Sequence, residues 1–256
     1  ATVAEMPPGT PGDAAIVTFT SQADAAAAEI VRLVAAGYHA VTSCEELAAP
    51  DRHLRLGIAT SAHSDDRVVV ATGVNPGFIM DRLPLVVARA CRNVASVTVR
   101  RSVDISGRRD QLVTKSGRGM TPEEFAAGVR GRTVGKIGLI ESARLLAEGL
   151  GWRVQDVAQA IEPIVEDGTT AGLHQRTRLK TVDGRSISLD LLLAWGLDDP
   201  HDELTIDGEP PLSLRIDGGV SDDEAAVAQM TAALEMLPRL DPGFYRPIDL
   251  PLTAER

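Results

Sequence analysis

The stretch "VVVATGVNPGFIMDRLPLVVARAC" (residues 68–91) decides how the chain is read. Its opening residues are apolar and β-branched, the pattern of a strand buried on both faces. Its second half is rich in Leu, Val and Ala and predicts a helix from about Pro76 to Arg92. Between them lies Gly73-Val74-Asn75-Pro76-Gly77. Glycine lets other groups approach the backbone closely. Proline is tolerated at a helix start, where its missing N–H leaves nothing unsatisfied. Free amides and the positive dipole end at such a start favour a polar or anionic group. Asn75 offers donors and an acceptor suited to a carboxamide. A tight strand-to-helix turn with Asn75 as its N-cap accounts for the same residues.

Upstream, the pattern repeats. "DAAIVTFT" (13–20) reads as a strand, followed by an Ala-rich helix over 21–37 that Ser21 caps and Gly37 stops. "YHAVTSC" (38–44) is the next strand, 51–63 is weakly helical, and "RVVVAT" (67–72) is the third strand. Strand and helix in alternation imply a parallel sheet covered on two sides. Such sheets bind ligands outside the carboxyl ends of their strands. Three ends are identified: "TFTSQ" (18–22), "TSCEEL" (42–47) and "ATGVNPG" (71–77). In the second, Glu45 and Glu46 point in different directions, so one can start a helix while the other faces the cleft. A glutamate in a partly dry cleft can work as acid or base near neutrality. Two first-turn acids favoured by a helix dipole are the plainer alternative.

The rhythm changes after residue 92. "VASVTVRRSVDIS" (94–106) alternates along one polar face, which predicts an antiparallel strand. Thr121 and Glu124 form a capping box with Pro122 at the first helical position, and 137–151 is an amphipathic helix. Strands follow around 161–166, 172–182, 186–194, 203–206 and 212–216, and a last helix covers 221–240. The expected fold is α/β: a partial Rossmann-type parallel sheet over 1–92, lacking its first βαβ unit, then an α+β domain with a mostly antiparallel sheet over 93–256.

Composition removes several classes. A net charge of −10 with scattered basic residues argues against a nucleic-acid surface. No apolar run is long enough to span a membrane, and no export signal is visible. Two cysteines, Cys44 and Cys91, suggest neither disulfides nor a zinc site, so a cytoplasmic protein is expected. The five histidines show no metal-ligand spacing, and no metal is expected. "GLDDPHDE" (196–203) reads as an acidic surface turn, "RRSVDISGRRD" (100–110) as a solvated strand face, and Cys44 as a small buried residue at a strand end.

The blocks "HAVTSCEELAAP" (39–50), "ATGVNPGFIMDRLPLVV" (71–87), "GRGMTPEEF" (117–125), "GKIGLIESARLLAEGLGW" (135–152), "GLHQ" (172–175) and "DLPL" (249–252) occur in an order and spacing that resemble one family. It is that of the dihydrodipicolinate-reductase-like NAD(P)-dependent dehydrogenases. Within it the likeness is to 2,4-diaminopentanoate dehydrogenases and native amine dehydrogenases. The resemblance implies interconversion of an amine with a ketone plus ammonia, through an iminium, using NAD or NADP. It implies a catalytic acid after the "SCEE" strand, here Glu45, with Glu46 in reserve. It implies that Thr18, Thr20, Ser21, Cys44, Gly73, Asn75 and Gly77 hold the nicotinamide half of the cofactor. A pocket wall from Met80, His174, Gln175 and Trp195 is expected, although a lone strand histidine is more often structural. A homodimer is expected through the second domain's sheet.

One departure is plain. The family opens with a strand, a G-x-G-x-x-G turn and a helix that bind pyrophosphate, and the chain contains no such motif; Gly117-Arg118-Gly119 comes nearest. The expectation is that this portion precedes Ala1. If it is instead lost, a cofactor-free acid–base enzyme (an isomerase, cyclase or lyase) or a non-catalytic subunit becomes the alternative.

Overall fold

The computed structural model describes residues 6–251. The chain divides into two compact units, Ala1–Arg82 together with Ser221–Arg256, and Leu83–Val220.

The first unit is built on β1 (Ala14–Val17), α1 (Ala23–Ala35), β2 (His39–Thr42), α2 (Arg52–Ser64) and β3 (Val68–Ala71). Its sheet has the order β1-β2-β3-β10, where β10 is Gly243–Tyr245, and every pairing is parallel. Side chains alternate between two cores, as strand geometry requires. Ala40, Val69 and Ala71 pack with Ala26, Ile30 and Leu33 of α1 and Ile58 and Ala62 of α2. Val41, Val68 and Val70 pack with Ala233 and Met236 of α7 (Asp222–Met236). This is the two-sided parallel sheet expected from the continuous apolar run of β3.

Two expectations are corrected here. Residues 221–256 were assigned to the second domain, but β10 completes the first sheet beside β3 and α7 covers one of its faces. A three-residue strand carries too little pattern to be read from sequence. The helix expected from Pro76 begins only at Arg82, as α3 (Arg82–Ala88). Pro84 has no N–H to bond a carbonyl one turn earlier, so a helix continuous from Pro76 would be interrupted there. Residues 76–81 form turns instead.

The second unit is a six-stranded sheet of order β5-β6-β7-β4-β8-β9. Its strands are β4 (Arg92–Asp104), β5 (Val154–Glu166), β6 (Thr169–Thr181), β7 (Ser186–Ala194), β8 (His201–Glu209) and β9 (Leu212–Asp217). All neighbours are antiparallel except β4 and β7, which are parallel. Helices α4 (Asp110–Lys115), α5 (Pro122–Arg130) and α6 (Leu139–Gly149) also belong to this unit. The Thr121–Glu124 capping box forms as read, with both reciprocal bonds present. Register separates two sheet faces. Leu173, Leu179, Leu189, Leu191, Val97, Val99 and Leu204 are buried on one, while Arg100, Arg176, Arg178, Asp190 and Glu203 share the other. The polar face carries cross-strand ion pairs, Arg100 with Glu203 at 3.2 Å and Arg178 with Asp190 at 2.8 Å. On the core face, Arg101 and Asp202 form a buried pair at 2.8 Å.

Candidate functional site

The carboxyl ends of β1, β2 and β3 lie level, because Val17, Thr42 and Ala71 are in register across the sheet. Backbone and side-chain bonds then tie the following loops together. Thr42 Oγ1 donates to the Val17 carbonyl at 2.8 Å and accepts the Cys44 amide hydrogen at 3.1 Å. The Thr72 amide donates to the Thr42 carbonyl at 2.9 Å. A single buried threonine thus fixes the tips of β1 and β2.

Glu45 and Glu46 open a short 3-10 turn, Glu45–Ala48. Their roles divide. Glu46 Oε2 accepts the Ala23 amide hydrogen at 2.9 Å, and the Glu46 amide donates to the Ser21 carbonyl at 3.4 Å. The N-cap residue of α1 is Gln22, which supplies no side-chain cap. Glu46 supplies an acceptor for the helix from the neighbouring loop, in place of the cap expected from Ser21. Glu45 stands between Cys44, which precedes the 3-10 turn, and this anchored residue, and is half-buried.

In the first loop Thr18 is exposed, while Thr20 and Ser21 are half-buried, with Thr20 Oγ1 accepting the Gln22 amide hydrogen at 3.1 Å. Cys44 is buried, and burial pushes its thiol up to about 11. It is therefore protonated near neutrality, in keeping with a small packing residue and not a nucleophile.

The third loop is the most tightly built. Gly73, Asn75 and Gly77 are all buried. A Cβ on Gly77 would lie 2.3 Å from the Gly73 carbonyl oxygen, and the Gly77 φ of 131° favours glycine in any case. The Phe78 and Ile79 amides both donate to the Val74 carbonyl, at 3.0 and 2.9 Å. The Gly77 amide donates to Asp81 Oδ2 at 2.9 Å. The expectation of an anion-favouring helix start is thereby corrected: no helix begins here, and the Gly77, Phe78 and Ile79 amides are engaged by the protein. The Nδ2 of Asn75 is buried without a hydrogen-bond acceptor, while the residue makes a further interaction elsewhere.

Sequence reasoning missed Thr42 and Asp81. The Gly77-to-Asp81 spacing of four residues, one tight turn, was the available signal for the latter.

The residues expected to wall the pocket belong to different units, Met80 to the first and His174, Gln175 and Trp195 to the second. Met80 is wholly buried in the first unit. Gln175, in the second, is also wholly buried. Its amide accepts from the Lys136 N–H at 2.8 Å and donates to the Lys136 carbonyl at 2.7 Å and to Gln159 Oε1 at 3.0 Å. Both are buried, and the Gln175 carboxamide is engaged with backbone and with Gln159. His174 is half-buried on the polar sheet face, its Nε2 3.6 Å from Asp190 Oδ1. Trp195 is exposed, with the Arg118 guanidinium 3.5 Å above its ring. Among the described residues no cluster of His, Cys, Asp or Glu is placed to hold a metal ion, and no helix is long and apolar enough to cross a membrane.

Residues 78–185 match the 2,4-diaminopentanoate dehydrogenase C-terminal domain. A 2,4-diaminopentanoate dehydrogenase of Acetoanaerobium sticklandii is 27% identical over 237 residues, which cover 83% of this chain and 66% of that protein. The chain thus spans just under two thirds of that family member. The fold agrees with an amine dehydrogenase from Mycobacterium smegmatis at a TM-score of 0.80 and 20% identity, covering 95% of this chain and 77% of the other. A UDP-N-acetylglucosamine 3-dehydrogenase from Acidithiobacillus ferrooxidans agrees more distantly, at a TM-score of 0.50 and 13% identity over 94% of this chain and 73% of the other. These structural likenesses bear on fold alone.

Proposed function

We propose that the chain is the larger part of a nicotinamide-dependent amine dehydrogenase. It would interconvert a small amine with a ketone plus ammonia, with Glu45 as the acid–base group. The observation that carries this reading is the division of labour between the paired glutamates. Glu46 is engaged at the α1 N-terminus, which leaves Glu45 as the carboxylate of that pair for chemistry at the strand tips. The kinship with 2,4-diaminopentanoate dehydrogenase supports the reaction class.

The residues present fit the nicotinamide half of the cofactor. Gly77 admits no Cβ, which keeps its turn compact, and Thr20, Ser21 and Asn75 bring hydroxyl and carboxamide groups suited to an amide and a ribose. They do not fit the pyrophosphate, since the Gly77, Phe78 and Ile79 amides are closed on the protein. When bound, the cofactor supplies hydride chemistry; the protein supplies placement and protons. Glu45 would hold a proton for the carbinolamine oxygen as water leaves. As a carboxylate it would then stabilise the positive charge of the substrate iminium. A homodimer in the cytoplasm is part of the same proposal.

The test is ammonia-dependent oxidation of NADH or NADPH by the full-length protein across a panel of small ketones and amino-ketones. Turnover that requires ammonia supports the reading. Ketone reduction indifferent to ammonia, or no saturable binding of either cofactor, contradicts it.

A further inference from the structure

The second unit holds a cavity of about 470 Å³ where α6 ends, lined by the apolar Ala88, Val94 and Leu150 and by Asn93, Trp152 and Arg185. Gly151, at a φ of 70°, closes the helix, and the Trp152 amide donates to the Ala147 carbonyl at 2.8 Å, so the indole is fixed where α6 stops. Only 7% of Trp152 is exposed. The Arg185 guanidinium lies 5.4 Å from the centroid of its ring, a cation–π distance. The Arg185 carbonyl accepts from the Thr181 amide and from Thr181 Oγ1, both at 3.0 Å, which holds its backbone in the turn between β6 and β7.

Two kinds of donor here lack a protein acceptor. A buried indole N–H ordinarily finds a partner. The Trp152 Nε1 has none among the described residues, and it is not sealed from open space, so it opens on the cavity that its ring lines. The Arg185 guanidinium has one carboxylate partner, Asp183, at 3.2 Å from Nε, and its Nη groups meet no acceptor among the described residues. A guanidinium and an indole N–H beside an apolar wall suit a carboxylate that carries a hydrocarbon chain. Three more arginines, Arg89, Arg92 and Arg153, are exposed and adjoin lining residues in sequence. They outnumber the carboxylates that hold lining side chains, Asp183 on Arg185 and Glu209 on Asn93. The carbonyl end of α6 opposes an anion. Its Leu146, Ala147 and Glu148 carbonyls are, however, capped by the Leu150, Trp152 and Gly151 amides.

We propose that this cavity binds a small organic carboxylate with an apolar chain, its oxygens on the Arg185 Nη groups and the Trp152 N–H, and its chain against Ala88, Val94 and Leu150. The site lies within the second unit and does not depend on the reaction given to the chain.

The chain has two tryptophans, so W195F leaves Trp152 as the one tryptophan emitter. Its fluorescence is followed during titration with hexanoate, hexanol and hexylammonium, which share a chain and differ in charge. Hexanoate is expected to change it saturably, hexanol with an affinity roughly tenfold weaker, and hexylammonium not at all. Adding R185Q should weaken hexanoate roughly tenfold and leave hexanol where it was. No saturable change with hexanoate, equal affinities for hexanoate and hexanol, or a hexanoate affinity indifferent to R185Q overturns the proposal. Should the variants fail to fold, the wild-type protein decides. Cys91 lines the same cavity, so hexanoate should slow its labelling by a thiol reagent and hexylammonium should not. Labelling at the same rate with and without hexanoate overturns the site.

Discussion

Glu46 Oε2 sits 2.9 Å from the Ala23 nitrogen, so the loop after β2 supplies an acceptor to the helix that precedes it in the chain. The bond spans 23 residues of sequence and fastens two strand-tip loops to each other. It also separates a structural carboxylate from its neighbour. Replacing Glu46 by Ala removes an acceptor for a helix N-terminal amide, a change worth about 0.5–2 kcal/mol. Urea unfolding should show that loss for Glu46→Ala and almost none for Glu45→Gln. Equal losses would mean that both side chains are structural.

A second expectation concerns pH. The Val68 amide donates to His39 Nδ1 at 2.9 Å, tying the start of β3 to β2. Burial first, and then the Arg67 guanidinium, hold His39 below its ordinary value of 6.5, with Asp66 opposing. The folded protein thus prefers neutral imidazole, and the unfolded chain takes up the proton first. Stability from this group is complete above about 6.5 and is lost as pH falls from there through the lowered folded value. Denaturation midpoints measured from pH 7.5 to 5 should fall more steeply in wild type than in His39→Asn, which keeps an acceptor but does not titrate. Parallel slopes would remove His39 from the acid response.

The thiols should differ. Cys44 is buried with its pKa pushed up to about 11, whereas Cys91 is half-buried, its Sγ donating to the Pro210 carbonyl at 3.1 Å. At pH 8 a thiol reagent should modify Cys91 in the native protein and Cys44 only on unfolding. Cys44→Ala should keep its catalytic turnover. Rapid native labelling of Cys44 accompanied by inactivation would reopen a nucleophilic role.

In the second unit, Asp202 joins Arg101 to the chain at Val220. Oδ1 accepts from Arg101 Nε at 2.8 Å and Oδ2 from the Val220 amide at 2.7 Å, while Arg101 also donates to the Val220 carbonyl at 2.7 Å. Asp202→Ala leaves a buried guanidinium without its carboxylate and should destabilise by about 3–5 kcal/mol. Calorimetry showing less than about 1 kcal/mol would indicate that water reaches Arg101.

Much of this architecture was legible in the sequence for a physical reason. The short, β-branched apolar run of β3 fits a strand buried on both faces, and the capping box at Thr121 announces its helix through two reciprocal bonds. Four features were not legible. The short strand Gly243–Tyr245 returns to the first sheet across the whole second unit, a long-range pairing that no local pattern encodes. Pro84 displaces the helix start, which changes the chemistry of the glycine turn from free amides to amides held by Asp81 and Val74. Gln175, expected in a pocket wall with the GLHQ block, uses its amide to clamp the Lys136 backbone. The motif residues of the three strand tips were readable, and the assignment of Glu46 to the α1 N-terminus was not, because it depends on how two loops meet.

The central claim is that Glu45 moves the proton at the carbon–nitrogen centre. Its most direct test is turnover of Glu45→Gln and Glu46→Gln in the reductive direction, with cofactor affinity measured on the same preparations. The account predicts that Glu45→Gln loses turnover by about a hundredfold or more, the range for removing a general acid–base group. It also predicts cofactor affinity within about twofold of wild type, and substantial turnover in Glu46→Gln. Undiminished turnover in Glu45→Gln would contradict it.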